Sequence, residues 1–456
     1  MRGHVRSDFI VEAKRFEHTI AHEISGNIGG TGYAVADRSD AVLTERDAPD
    51  APRRTIPRAK WHFVDDRNIH LDDGFVPGRI YEIIYTAADP AVVGTGLAAV
   101  RDFASYVKHD PNAVVKGRLA YAMGISQTGR FLRHLVWQGF NADEKGRQAL
   151  DALLIYVAGA GRGNFNHRFA QPSRDAQPLV PAFYPVDVPP FTDDGLLERA
   201  VKEHVVPKIF YVNTAYEYWS RGASLIHTTP DGTRDVDLAP TSRAYLVAGL
   251  GHVASAWPPQ KAEGAQQPGN PNNIIYLRHG FTAALDAWAR LGVEPPPNRI
   301  PKIAGGTLVR PSELAVKSMH GVAVPKFAYD VARLDLSTEP PKILGRDTNL
   351  VPQVGADGNE LAGVHLPELQ VPIATYTGWN LRDPAAGFPD YRASFVGSFI
   401  AWPKAEIEAR YRNADEYLGK FTAAALALVR ERFLAADDIV KVLDRGIEEF
   451  SLVTKQ

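Results

Sequence analysis

A serine framed by small residues is the sharpest chemical signal in this chain of 456 residues. Gly124-Ile125-Ser126-Gln127-Thr128-Gly129 lies between an apolar run, Leu119–Met123, and helical spacing over Phe131, Leu132, Leu135 and Val136. A serine on a tight strand-to-helix turn can act as a nucleophile, provided its neighbours let strand and helix backbones come close. Gly124 meets that demand two residues before the serine. The usual second glycine stands two residues after it; here Thr128 takes that place and Gly129 comes one later. A hydroxyl is a weak nucleophile unaided, so a base and an orienting carboxylate must follow. His252 is the expected base, on the Gly249-Leu250-Gly251 loop after the strand Ala244–Ala248; His227 is its competitor. Glu217 is the expected acid, in Asn213-Thr214-Ala215-Tyr216-Glu217-Tyr218-Trp219 after the strand Lys208–Val212. A carboxylate among aromatics is costly to leave unpaired, and a histidine N–H relieves it. Asp231 and Asp235 are rival acids, and Arg221 at i+4 is a rival partner for Glu217. The backbone N–H groups of Gln127 and of Asp89, in the loop 87–89, are the expected donors to a developing oxyanion.

The elements that must position these groups alternate. Ile80–Thr86 reads as a strand. Val100, Phe103, Ala104 and Val107 form a helical stripe. Leu119–Met123 reads as a short buried strand, followed by strands at Leu153–Ala158, Lys208–Val212 and Ala244–Ala248. Leu277, Phe281, Ala284, Leu285 and Trp288 give a helix that stops at Gly292. Short apolar strands alternating with helices indicate a mainly parallel sheet covered on both faces. Residues 1–60 show no strong period; they read as an irregular or β-rich segment ending in a charged, proline-rich connection. Residues 300–400 are rich in proline and glycine and read as an extended segment wrapping the core. Two helical patterns follow, about 404–434 and 437–449.

One glycine-rich segment follows the strand at 153–158: Gly159-Ala160-Gly161-Arg162-Gly163-Asn164-Phe165-Asn166-His167-Arg168. A nucleotide reading fails, because no helix pattern and no suitable acidic residue follow. It reads equally as a pocket wall or as a structural loop. As a wall it would present Phe165, His167 and Arg168 to a substrate, with Tyr216, Tyr218 and Trp219 supplying an aromatic border and Arg162 or Arg168 a site for a carboxylate.

Several classes are excluded. Lys plus Arg number 51 and Asp plus Glu 53, a net charge of −2, which offers no electrostatic basis for nucleic acid as the main partner. Zero cysteines exclude disulfides, thiolate metal sites and a cysteine nucleophile. No apolar run is long enough to span a bilayer. No metal-ligand spacing appears: His18 and His22 read as a solvated face, and Asp357-Gly358-Asn359-Glu360 reads as a turn rather than a calcium loop. No cofactor is expected. The N-terminus carries no signal-peptide core, so the expectation is a cytoplasmic protein or a mature exported form.

Several phrases of the chain resemble a family of bacterial and fungal α/β-hydrolase domain-containing proteins. They are YTAADPAVVGTGLAAVRDFASY (85–106), GISQTGRFLRHLVWQGFNADEKGR (124–147), AGAGRGNFNHRFAQPSRD (158–175), NTAYEYWSRGASLIHTTPDG (213–232) and VPIATYTGWNLRDP (371–384). The resemblance covers roughly Trp61 to Val440. It implies an α/β-hydrolase fold with Ser126 as nucleophile, and it absorbs the Thr128 departure, because Gly124–Arg130 matches the family phrase residue for residue. The YEYW phrase carries Glu217, and Ala248–His252 matches the family's histidine phrase. The family usually has a larger N-terminal β-rich region than the 60 residues that precede Trp61. The expected organisation is an N-terminal segment (1–60), a hydrolase core (61–300) and a wrap-around C-terminal extension (301–456). The expected function is hydrolysis of a carboxylic ester or lactone of a small organic substrate through an acyl-enzyme, by a monomer or a homo-oligomer. Two alternatives stand beside it: an acyltransferase or amidase using the same acyl-enzyme, and a non-catalytic binding module.

Overall fold

The computed structural model describes residues 1–455 apart from 21–32, 50, 91, 93, 164, 166–168, 170–186, 316–320, 328, 336, 339–341 and 394. The N-terminal segment is more regular than its sequence pattern suggests. β1 (Arg2–Phe9), β2 (Arg15–Thr19), β3 (Val35–Arg46), β4 (Arg54–Thr55), β5 (Trp61–Phe63), β6 (Asn68–Phe75) and β7 (Ile80–Ala88) form two antiparallel sheets, ordered β1-β7-β3-β4 and β2-β6-β5. Val5, Phe9, Leu43, Ile69, Phe75, Ile83 and Tyr85 fill the core between them. Charges inside the first sheet hide the period of two. Arg6 and Asp8 are buried and paired at 3.1 Å, and Arg53 holds the buried Glu82 through two 2.7 Å bonds. β7 therefore belongs to this antiparallel sheet and not to the parallel one. Its pairing joins residues on both sides of position 60. His18, expected on a solvated face, is stacked on Phe9 at 3.8 Å, and burial drives its pKa to about 3. His22 lies outside the described residues.

The parallel sheet has four strands: β8 (Tyr121–Ile125), β9 (Ala152–Tyr156), β10 (Lys208–Thr214) and β11 (Ser242–Val247), in the order β11-β10-β9-β8. β9 is buried throughout, as a central parallel strand must be. Its residues alternate between two cores. Leu153 and Ile155 pack with Leu132, Leu135 and Val136 of the helix Gln127–Trp137. Leu154 and Tyr156 pack with Leu277, Phe281 and Trp288 of the helix Ile275–Leu291, which ends on Gly292 at φ 70°. β8 is not the buried strand its sequence suggests. Among the described residues its one strand neighbour is β9, and Tyr121, Met123 and Ile125 stay 39, 53 and 41% exposed.

Among the described residues, the C-terminal part builds short two-stranded ladders and four helices, the first of them the single turn Pro367–Gln370. Ala374–Thr377 pairs with Ser398–Ala401, and Val331–Asp335 with Lys342–Asp347. The helical pattern at 404–434 is two helices: Lys404–Arg410 ends at the extended Tyr411, and Ala414–Arg430 is capped by Asn413, which accepts the Glu416 N–H at 2.9 Å. The last helix is Ile439–Thr454. Val364, Ile373, Tyr376, Phe421, Leu428 and Val453 enter the same core as Phe281 and Trp288. Much of the apolar surface of the C-terminal part thus joins the core of the parallel sheet, while Val322, Val351, Trp379, Leu381 and Ile400 gather in a smaller cluster around Trp219.

Candidate active site

The carboxyl ends of β8 and β10 place two of the expected residues directly. Ser126 follows β8 and precedes the helix Gln127–Trp137, with φ 55° and ψ −118°. That backbone is strained for any residue with a Cβ. Its surroundings hold it there. The Ser126 N–H donates to the Tyr156 carbonyl at 2.9 Å, and its own carbonyl accepts the Arg130 N–H at 3.1 Å. The glycine spacing has a steric cause. A Cβ on Gly124 would lie 2.5 Å from the Thr128 carbonyl oxygen, and one on Gly129 would lie 2.9 Å from the Ala158 Cβ. Thr128 fits its place because its hydroxyl closes the turn, accepting the Ile125 N–H and donating to the Ile125 carbonyl, each at 2.8 Å.

Glu217 sits in the first turn of the helix Ala215–Ser220 after β10. Its Oε2 accepts the N–H and the hydroxyl of Thr214 at 2.8 and 2.6 Å, a capping box that fixes the carboxylate. The residue is fully buried. Its Oε1 faces His252 Nδ1 at 2.6 Å, and His252 Nε2 faces Ser126 Oγ at 3.0 Å. Serine, histidine and glutamate therefore form one continuous hydrogen-bonded line. The rivals lie elsewhere. His227 bonds the Tyr218 hydroxyl at 2.9 Å, and burial lowers its pKa to about 4. Asp231 accepts from Thr229 and Thr233, and Asp235 from the N–H groups of Ile303 and Ala304.

The remaining expected residues divide. Gln127 opens the helix next to Ser126. Asp89 is a correction: it ends the antiparallel sheet, and its N–H donates to the Met1 carbonyl at 2.9 Å, so that donor is already engaged. Tyr216 lies beside the site, its ring 5.5 Å from that of His252. Tyr218 and Trp219 are buried in packed clusters. Successive helical residues turn by about 100°, so Tyr218 enters a core with Leu308 and Leu350, and Trp219 packs on Trp379 at 4.5 Å. Phe165 packs against Phe131 and His134 of the helix after Ser126, at 5.7 and 5.8 Å. His167 and Arg168 lie outside the described residues. Arg162 is occupied: it stacks on Trp137 at 3.5 Å and donates to the Pro189 carbonyl at 2.6 Å. Gly159 and Gly161 are small for packing, since a Cβ on either would strike Arg221 or Asp187.

Sequence reasoning missed the groups that hold His252. Phe395 accepts the His252 N–H through its carbonyl at 2.9 Å and lies 5.0 Å from the imidazole, ring to ring. Asn270, fully buried, donates to the carbonyls of Gly249 and Thr377 at 2.6 and 3.1 Å. Both come from distant segments with no local pattern, so no sequence signal marks them. Among the described residues, no group of three or more His, Asp or Glu side chains is arranged to hold a metal ion. No described helix is long and apolar enough to cross a membrane.

Comparison with known families matches residues 61–444 to the model described as alpha/beta hydrolase domain. The chain belongs to that family. Membership makes hydrolysis its reaction class, and the match runs through the C-terminal ladders and helices as well as the parallel sheet. Comparisons with curated proteins and with solved structures found no match.

Proposed function

We propose that this α/β-hydrolase-domain protein cleaves a carboxylic ester or lactone of a small organic substrate, using Ser126, His252 and Glu217. The observation that carries the reading is the unbroken line from Glu217 Oε1 to His252 Nδ1 at 2.6 Å and from His252 Nε2 to Ser126 Oγ at 3.0 Å. His252 takes the Ser126 proton as Oγ attacks the carbonyl carbon. Glu217, held by Thr214, fixes the tautomer with the proton on Nδ1 and stabilises the imidazolium that forms. The Gln127 N–H is the proposed donor to the tetrahedral oxyanion, from the position next to the nucleophile at a helix start. The imidazolium then protonates the leaving oxygen, and water activated by His252 releases the acid. Tyr216 and Phe395 give the site an aromatic flank beside the imidazole, suited to an apolar acyl or alcohol group.

In this reading residues 61–300 carry the reacting groups, and residues 301–456 hold the loop that presents His252. The test is labelling with a fluorophosphonate, followed by peptide mass spectrometry. Label on Ser126 that disappears in His252→Ala is the expected result. Absence of label on folded wild-type protein would overturn the reading. Adding alcohol acceptors during hydrolysis of p-nitrophenyl butyrate separates transfer from hydrolysis by the products formed.

A further inference from the structure

The turn Asp357-Gly358-Asn359-Glu360 has a place in the fold that its sequence did not reveal. Asp357 accepts the Asn359 N–H at 3.1 Å, and its carbonyl accepts the Thr375 hydroxyl at 2.7 Å. The Asn359 side chain accepts the Tyr376 N–H at 2.8 Å and donates to the Ala374 carbonyl at 3.3 Å. The turn is thus stitched to the strand Ala374–Thr377. From it the buried Glu360 reaches across to the histidine loop, where Oε2 accepts the Gly249 N–H at 2.7 Å. Asn270 holds the carbonyl of the same residue. Gly249 has φ 66°, and a Cβ there would lie 2.6 Å from Leu369. Gly249 is therefore gripped through both its N–H and its carbonyl, three positions before His252.

We propose that Glu360 is a positioning residue for His252, its carboxyl setting the Gly249–His252 loop so that the imidazole meets Ser126. The proposal rests on the serine-hydrolase reading given above. The carboxyl has a single strong donor, and Oε1 is buried with no hydrogen-bond partner among the described residues. Burial pushes its pKa up to about 8, so at neutral pH the group is largely a neutral acid. Tyr218 is the titratable side chain in electrostatic contact with it, and the His365 ring meets the Glu360 backbone. The Tyr218 hydroxyl is engaged with His227, and burial holds His365 below its ordinary value. A neutral acid holds the loop without placing a full, uncompensated negative charge in a buried site.

Glutamine keeps the acceptor and removes the titration; leucine removes both. The test uses the full chain, p-nitrophenyl butyrate and the fluorophosphonate. Glu360→Leu should lower kcat and the labelling rate of Ser126 about 10- to 100-fold with KM within about 2-fold, the effect of a slightly misplaced base. Glu360→Gln should restore both to within about 3-fold at pH 7, since the amide oxygen accepts the same N–H. A second readout does not depend on the leucine variant folding. Between the ordinary carboxyl value of 4.5 and about 8, the folded protein holds a proton that the unfolded chain has lost, so wild-type Tm should fall as pH rises through that window. Glu360→Gln should flatten that fall. Wild-type labelling with unchanged labelling in Glu360→Leu would overturn the positioning role alone. So would a glutamine variant as slow as the leucine one, or as pH-sensitive in Tm as wild type. Unlabelled wild type would overturn the underlying reading and this proposal with it.

Discussion

The strand ends that carry Ser126 and Glu217 and the loop that carries His252 are built in opposite ways. At the strand ends, local chain geometry does the positioning. Ser126 is fixed by the backbone between β8 and its helix, and Glu217 by Thr214 three residues earlier. The His252 loop has no regular structure and is fixed by remote groups: Asn270, Glu360 and the Phe395 carbonyl. A short-range device tolerates change elsewhere in the chain. A long-range device makes the proposed reaction depend on residues outside the loop, from Asn270, 21 positions from Gly249, to Glu360, 111 positions from it.

Substitutions can break or sharpen that contrast. Ser126→Ala should lower turnover of p-nitrophenyl butyrate by about 10⁴- to 10⁶-fold with KM little changed, because it removes the proposed nucleophile. Turnover within tenfold of wild type would take the chemistry away from the strand end. Glu217→Gln keeps the shape but loses the charge and the correct tautomer, and should cost about 10³- to 10⁴-fold in kcat, read from initial rates. Asn270→Ala tests the remote side. It leaves the Gly249 and Thr377 carbonyls without their amide donor and should cost about 10- to 100-fold in kcat, with KM nearly constant. An unchanged kcat would mean the loop holds itself.

Two smaller effects concern stability. Thr214→Val removes the hydroxyl bond to Glu217 and should destabilise the fold by about 1 kcal/mol, a Tm shift of a few degrees by calorimetry. The glutamate keeps the Thr214 N–H, so kcat should fall by only a few-fold, far less than in Asn270→Ala. Glu368 sits in the C-terminal region, where burial, reinforced by Glu449, raises its pKa from 4.5 to about 7. The folded state therefore keeps a proton that the unfolded chain loses between those values, and stability falls as pH rises across that window. Glu368→Gln should reduce the fall in Tm between pH 5 and pH 8 and leave kcat unaltered. A change in kcat would extend the remote control of the site to this carboxylate.

Legibility followed the same division. Gly124, Ser126 and Gly129 declare themselves because backbone crowding at a strand–helix turn admits only small residues at fixed offsets. Glu217 and His252 could be read because each follows an apolar strand in chain order. Asp89 was misread because β7 looks like a strand of the parallel sheet, while its partners β1 and β3 are antiparallel. Tyr218 and Trp219 were misplaced because a helix points neighbouring side chains in different directions, and aromatic composition does not say which way.

The sequence by itself determined the strand–turn–helix around Ser126, the fully apolar strand β9 and the order of serine, acid and histidine. These rest on steric and hydrogen-bond rules that act within a few residues. Only the tertiary structure decided that Glu217 meets His252 rather than Arg221, that β8 is an edge strand, and that Glu360 and Asn270 grip Gly249. Those contacts join residues 21 to 111 positions apart, and packing of the whole chain, not local pattern, selects which distant groups come within hydrogen-bond reach.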